Sequence, residues 1–274
     1  MSGTVAAVGD NTIDCYVGRD SYSYVGGNAV NVAVQLTRLG RTAVYFGAVG
    51  PDDAGRQIMQ TLASAGVGTE GIEVVPGVTS TSRIRVDPDG VRHFEAEDFG
   101  VCDGYLPGPA ALDRIADCAA AHIGLMPGAE PVRRHLTARG VLVSQDCGVT
   151  LPVENYRSMD IAFCSEESAA RPAEQIARDA VAGGAALAVV TRGAAGSLAF
   201  DGSAWWRAAA EPVDVVDTTG AGDAFAAGFI DARLDGADID QALAAGARHA
   251  ALACTSFGAW PQEPGPAPAG ACGD

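Results

Sequence analysis

The chain has 274 residues, 48% of them hydrophobic, which is enough for one large domain with a full core and a small appendage. Its net charge of −16 at pH 7 argues against nucleic acid or an anionic membrane surface as a partner, although backbone dipoles can still hold a small anion. All 18 basic residues are arginine. The absence of lysine excludes a G-x-x-x-x-G-K-[ST] phosphate loop and any Schiff-base lysine chemistry.

The opening "MSGTVAAVGD" has no basic region before its apolar run and does not read as a signal peptide. No apolar run approaches the roughly 20 residues that a membrane span needs. A soluble, cytoplasmic protein is expected. "TVAAVG" (4–9) predicts a buried strand, and the polar "DCYVGRDSYSYVGG" (14–27) is also strand-like. In "NAVNVAVQLTRLG" (28–40), Val30, Val34, Leu36 and Leu39 recur at near-helical spacing and Gly40 ends the helix. "TAVYFGAVG" (42–50) predicts a second strand and "DAGRQIMQTLASAG" (53–66) a second helix.

The region 79–99, "TSTSRIRVDPDGVRHFEAEDF", breaks this rhythm. Ile84 and Val86 alternate, the chain turns at "DPDG" and resumes at Val91, which predicts a hairpin. With the earlier polar strands it predicts a small antiparallel sheet acting as a lid, from segments about 14–26 and 72–100. The rhythm then returns through "AAHIGL", "PVRRHLTARG", "GVLVSQD", "MDIAFC", "RPAEQIARDAVAGG" and "ALAVVTRG". Strands alternating with helices predict an α/β fold with a mostly parallel sheet covered on both faces. One domain over 1–262 is expected, with 263–274, rich in Pro, Gly and Ala, as a disordered tail.

Cys15, Cys102, Cys118, Cys147, Cys164, Cys254 and Cys272 are odd in number and form no C-x-x-C pair. They predict small free thiols rather than a disulfide framework or a structural zinc. His93, His122 and His135 are too dispersed to suggest a transition-metal site, and His249 reads as a helix-surface residue.

The most informative stretch is "DTTGAGDAFAAGF" (217–229), where a loop turns into a helix. Gly220, Ala221 and Gly222 fall on the first helical turn, whose N–H groups have no partner within the helix. Small residues leave those groups open and the helix dipole favours negative charge, so the loop can hold a phosphoryl group without lysine. Asp223 follows at once. A carboxylate beside an anion hole suits a base that takes the proton of an attacking hydroxyl. A plain helix start with packing glycines and a capping aspartate is the structural alternative.

This stretch closely resembles the C-terminal signature of the ribokinase-like (PfkB) sugar kinases, and "GGNAVNVAVQLTRLG" (26–40) resembles their N-terminal signature. The resemblance covers about residues 4–260. It implies a three-layer α/β/α sandwich with a small antiparallel β lid, ATP and Mg2+ as phosphoryl donor and cofactor, and a sugar as acceptor. It implies Asp223 as general base, with the amides of Gly220, Ala221 and Gly222 as the γ-phosphate hole. Asp14, Gly27, Asn28 and Asn31 would hydrogen-bond sugar hydroxyls; a helix N-cap is the alternative for Asn28 and a strand-end role for Asp14. Thr191, Gly193 and Gly196, in "TRGAAG", and Thr219 would line the ATP phosphates, with Arg192 as a neutralising or merely surface charge. Ser256 and Gly258 lie where members of the family often place a monovalent cation.

One departure concerns the metal. Many relatives carry an N-x-x-E segment after the strand corresponding to "MDIAFC", whereas this chain has Ser165 and Ser168 flanking Glu166 and Glu167. The metal residues are therefore left unassigned. The wording of "GDNTIDCY", "GVTSTSRIRV" and "FGAW" resembles the fructoselysine 6-kinase branch, implying a fructosamine 6-hydroxyl as acceptor. Glu95, Glu97 and Asp98 in the hairpin could attract a substrate ammonium or simply be solvated. Another sugar or a nucleoside, and an inert sugar-binding protein of the same fold, are the alternatives. Lid strands would suit edge pairing into a dimer.

Overall fold

The computed structural model describes residues 3–17, 21–86, 92–148, 153–169 and 171–266. Its strands are β1 (Val5–Val8), β2 (Thr12–Val17), β3 (Tyr22–Gly26), β4 (Ala43–Val49), β5 (Gly68–Val74), β6 (Thr81–Val86), β7 (Arg92–Asp98), β8 (Ala120–Ile123), β9 (Leu142–Asp146), β10 (Met159–Ser165), β11 (Ala185–Thr191), β12 (Ser197–Phe200), β13 (Trp205–Ala208) and β14 (Gly265–Pro266). Its helices are α1 (Asn28–Arg38), α2 (Asp53–Ser64), α3 (Pro109–Ala116), α4 (Glu130–Ala138), α5 (Glu166–Ala169), α6 (Ala173–Ala182), α7 (Ala221–Leu234) and α8 (Ile239–Ala253).

Nine strands form the main sheet in the order β13-β12-β11-β10-β9-β8-β1-β4-β5. Pairing is parallel from β11 through to β5, and antiparallel only where β12 and β13 close the other edge. Strand alternation divides the core. Val5 and Ala7 of β1 pack with α1, α2, α7 and α8, while Ala6 and Val8 pack with residues of α3 and α4. Ala162, Cys164 and Val190 carry the second layer on to α6. The expected three layers are present.

Helix α1 departs from a simple amphipathic pattern, because every residue from Ala29 to Leu36 is buried. It packs against β1, β4 and β8 beneath and against α7 beside it, so its polar residues Asn31 and Gln35 are enclosed as well. Enclosed polar side chains need partners. Gln35 donates to the Ala259 carbonyl, and Asn31 points its amide at the site described below.

The second sheet runs β14-β3-β2-β6-β7. The hairpin β6/β7 forms as expected, with its "DPDG" turn outside the described residues. Three expectations need correction. Residues 72–74 belong to β5 and the main sheet, so the hairpin begins at Thr81. Strands β2 and β6 pair parallel, since a whole α/β stretch separates them in sequence, and only the other pairs are antiparallel. The tail is ordered as far as Pro266, where β14 pairs with Ser23 and Tyr22 of β3; residues 267–274 lie outside the described residues.

The thiol expectation also fails at one position, because Cys15 is disulfide-bonded. Cys102, Cys118, Cys147, Cys164 and Cys254 are free. Among the described residues no helix is long and apolar enough to cross a membrane.

Candidate active site

Two helix N-termini, those of α1 and α7, meet at the carboxyl ends of β1, β8 and β9, where open α/β sheets place their ligands. Gly27 precedes α1 with φ +107, and a Cβ there would lie 2.6 Å from the Asn11 Cα. Only glycine fits so close a turn. The capping acceptor is distant in sequence. Asp10, in the loop after β1, accepts from the N–H of Asn28 at 2.6 Å, of Ala29 at 3.3 Å and of Leu125 at 2.9 Å. Asn28 is thus not the N-cap, and its side chain is free for other work.

The Asn28 Nδ2 donates to Asp146 Oδ2 and to Asp223 Oδ1, both at 2.5 Å, and Asn31 Nδ2 donates to Asp223 Oδ2 at 2.6 Å. The other side of the Asn28 amide, Oδ1, lies 3.2 Å from His122 Nε2, and His122 Nδ1 lies 3.0 Å from Ser144 Oγ. The Asn31 Oδ1 is buried with no hydrogen-bond partner among the described residues. An orphaned acceptor beside two carboxylates is costly in a folded protein and is relieved by a donor entering the site.

At α7 the local chemistry is reversed. Gly220 precedes the helix at φ +73, and a Cβ there would meet Ala259 at 2.4 Å. Asp217 shapes the loop, accepting from the N–H and hydroxyl of Thr219 and from the N–H of Gly258. The Ala221 N–H donates to the Thr218 carbonyl at 3.1 Å. That corrects the expected three-amide hole: among the described residues only the Gly220 and Gly222 N–H groups of this trio have no acceptor. A Cβ on Gly222 would meet nothing within 4 Å, so this residue faces open space. The pitch of α7 is held by α8, because Gly228 and Gly246 allow the two backbones to approach closely.

Burial and mutual repulsion raise the acids here. Asp223 is pushed up to about 8, first by burial and next by the charge of Asp146, with the amides of Asn31 and Asn28 pulling the other way. Asp146 rises to about 6, again chiefly through burial. Asp10 is raised for the same reason, while burial drives His122 down to about 3 and keeps it neutral. A carboxylate whose pKa approaches working pH suits general-base chemistry.

Asp14 sits in β2, beside rather than in the cleft lining. Its carboxyl accepts from Ser82, packs over Gly26 and is raised to about 6 by burial and by Glu97.

From this centre a cleft of about 730 Å³ extends past Asn28, His122 and Asp146 to Thr191, Gly193 and Gly196, and on to Val213, Val215, Ala247 and Cys254. Thr191, Gly193, Gly196, Ala221 and Gly222 therefore share the cleft, but Thr218 lines it in place of the expected Thr219. The two glutamates after β10 are also sorted. Glu166 accepts from the Ala173 N–H at the start of α6 and pairs with Arg192 at 3.4 Å. Glu167 lines the cleft, its Oε1 2.3 Å from where a Gly193 Cβ would stand. Among the described residues no group of three or more His, Cys, Asp or Glu could hold a metal ion directly.

The motifs announced Asn28, Asn31 and Asp223 but not Asp10, His122, Ser144 or Asp146. Asp10 and Asp146 lie where predicted parallel strands end, and that position was the available signal.

Fold and cleft define a two-sheet α/β protein of the ribokinase-like class. It superposes on Arabidopsis thaliana ribokinase complexed with ribose and ATP with a TM-score of 0.86, at 22% identity and 96% coverage of both chains, a likeness of fold. The sequence takes the identification further. The pfkB family carbohydrate kinase model matches residues 14–99 and 158–264, and the chain belongs to that family. It is 34% identical to the fructoselysine 6-kinase of Escherichia coli (strain K12) over 261 residues, covering 94% of this chain and 99% of that protein. It is 29% identical over 269 residues to the fructosamine kinase FrlD of Bacillus subtilis (strain 168), covering 93% and 92%.

Proposed function

We propose that the protein transfers the γ-phosphoryl group of ATP to a primary sugar hydroxyl, the 6-hydroxyl of fructoselysine or a related fructosamine. The observation that carries this reading is the setting of Asp223. Two asparagine amides hold its carboxyl at the start of α7, directly after the open N–H groups of Gly220 and Gly222. A hydroxyl placed between that carboxyl and those amides has a base on one side and a phosphoryl hole on the other.

The hydroxyl oxygen bonds to the γ-phosphorus as the bond to the β-phosphate oxygen breaks. Asp223 takes the hydroxyl proton, and ADP leaves. The Gly220 and Gly222 N–H groups hold the transferring oxygens, aided by the α7 dipole. Gly193 and Gly196 let the phosphates run close to the backbone, and Pro212, Val213, Val215, Ala247 and Ala250 offer apolar walls for the base. Residues present fit a magnesium ion held through water: Glu167 faces the cleft and would orient its shell. When bound, Mg2+ supplies the positive charge that lysine provides in other phosphate loops. Ser256 and Gly258 are the proposed position of a monovalent cation.

An amine-bearing sugar is favoured over a neutral one by the surplus of carboxyls. Asp10, Asp14, Glu97, Asp146 and Asp223 form a group of acids at and beside the sugar end, all five raised chiefly by burial and Asp14, Glu97, Asp146 and Asp223 further by neighbouring acids. A substrate ammonium lowers that repulsion. The two relatives named for fructoselysine and fructosamine support the same choice.

The test is ADP release with Mg-ATP against fructoselysine, other fructosamines, ribose, fructose, adenosine and no sugar. Release dependent on fructoselysine supports the whole reading. Release with another sugar keeps the mechanism and discards the fructosamine, and no release with any sugar from folded protein overturns the kinase.

A further inference from the structure

We propose that His122, held by Ser144, is a positioning residue that turns the Asn28 amide so that its NH2 group bridges Asp146 and Asp223. The inference rests on the reading of Asp223 as the base.

The three residues come from separate elements, β8, β9 and the first turn of α1. His122 is fully buried and Ser144 is nearly so. A buried neutral imidazole has one donor and one acceptor nitrogen. Because the Asn28 Nδ2 donates to the two acids, its Oδ1 faces Nε2, so the matching tautomer carries its hydrogen on Nε2 and accepts the Ser144 hydroxyl at Nδ1. With Oδ1 committed, Nδ2 must face the two carboxyls, and it reaches both at 2.5 Å. The flipped amide would set an oxygen against two acids and an N–H against an N–H. The histidine thereby closes off the wrong orientation.

The ring itself has little freedom. It lies 6.0 Å from the Phe163 ring, which in turn stands edge-on to Phe229 of α7. The titratable groups facing the bridge are Asp10 from the loop after β1, Asp146 from β9 and Asp223 from α7. Each Asn28 N–H favours the ionised form of the acid that accepts it. Losing the orientation therefore makes both Asp146 and Asp223 harder to ionise. The proton acceptor of the reaction is then ionised, and able to act, only at higher pH.

His122→Phe keeps an aromatic ring but has no donor. It should lower kcat roughly ten- to a hundredfold, the cost of a misplaced group at the reacting centre, and move the acid limb of the kcat–pH profile upward. The KM for ATP should stay within about twofold, since the cleft's nucleotide end is untouched. His122→Gln retains an N–H for Oδ1 and should recover most of both effects. Ser144→Ala, which leaves the ring in place, should shift the profile in the same direction by less.

A readout independent of turnover is the pH titration of the Asn28 side-chain amide signals by NMR. They should track ionisation of the two acids in the native protein and titrate at higher pH in His122→Phe. An unchanged Asn28 titration in His122→Phe and Ser144→Ala overturns the proposal, whatever happens to activity. If His122→Phe does not fold, Ser144→Ala decides: a shifted titration supports the proposal and an unshifted one removes it. Should no sugar be phosphorylated, the kinase reading fails while the amide titration still judges the bridge.

Discussion

The N-termini of α1 and α7 look alike in sequence and behave as opposites. Each helix starts after a glycine with positive φ, and neither receives a cap from its own preceding side chain. At α1 the exposed N–H groups are taken by the distant Asp10, so the helix start is electrically closed and presents side chains, Asn28 and Asn31. At α7 Asp217 accepts from Thr219 and Gly258 instead, and among the described residues no acceptor is found for the N–H groups of Gly220 and Gly222, which the helix start presents. A helix N-terminus is an anion site only while its amides remain unsatisfied. The difference lies in what the rest of the fold brings to each end.

The sharpest way to break that comparison is at Asp223, which sits on the open helix and is gripped by the closed one. Asp223→Asn should cut turnover by at least about a hundredfold while leaving the fold intact. Near-normal turnover would remove the base assignment. Stability should change as well, with a definite sign. The folded-state pKa of Asp223 is raised from 3.8 to about 8, so its contribution is present below the lower value and is lost as pH rises through the upper one. Thermal unfolding across that window should show native protein losing stability with pH more steeply than Asp223→Asn. Parallel curves would contradict the shift.

Gly220→Ala tests the geometry of the open end. A Cβ at φ +73, 2.4 Å from the Ala259 Cβ, should cost about 2 kcal/mol or more, read as a drop in Tm with loss of activity. Asp10→Asn tests the closed end. One carboxylate oxygen becomes a donor facing backbone donors, so stability should fall by about 1–2 kcal/mol in a denaturant titration, with α1 the first element to lose amide protection. An unchanged midpoint would mean that water can replace this cap.

Gly222→Ala should have the smallest effect on folding and the most selective one on function. Nothing lies within 4 Å of the new methyl, and alanine in a helix favours the fold by about 0.5–1 kcal/mol over glycine. The methyl projects into the space proposed for phosphate, so the KM for ATP should rise while Tm holds or increases. If neither the KM for ATP nor kcat moves, phosphate does not sit against Gly222.

Much of the fold was legible because its causes are local. β-branched runs and helical spacing announced β1, α1, β4, α2 and the later pairs, and the glycine-rich stretch announced the start of α7. Asn28, Asn31 and Asp223 were legible for another reason, since two motifs place them at helix starts. Strand pairing was less so: that β5 joins the main sheet, and that β2 runs parallel to β6, depends on where whole elements dock.

By itself, the sequence determined that there is no lysine to hold a phosphate, that two helices begin with glycine, and that an aspartate follows the second. Only the tertiary structure decided which of those starts stays open. Asp10, His122, Ser144 and Asp146 are brought to Asn28 from three separate strand ends, and Glu166 is spent on α6 and Arg192 while Glu167 turns to the cleft. Contacts of such long sequence separation leave no periodicity to read. They exist only once the sheet has aligned the ends of its strands.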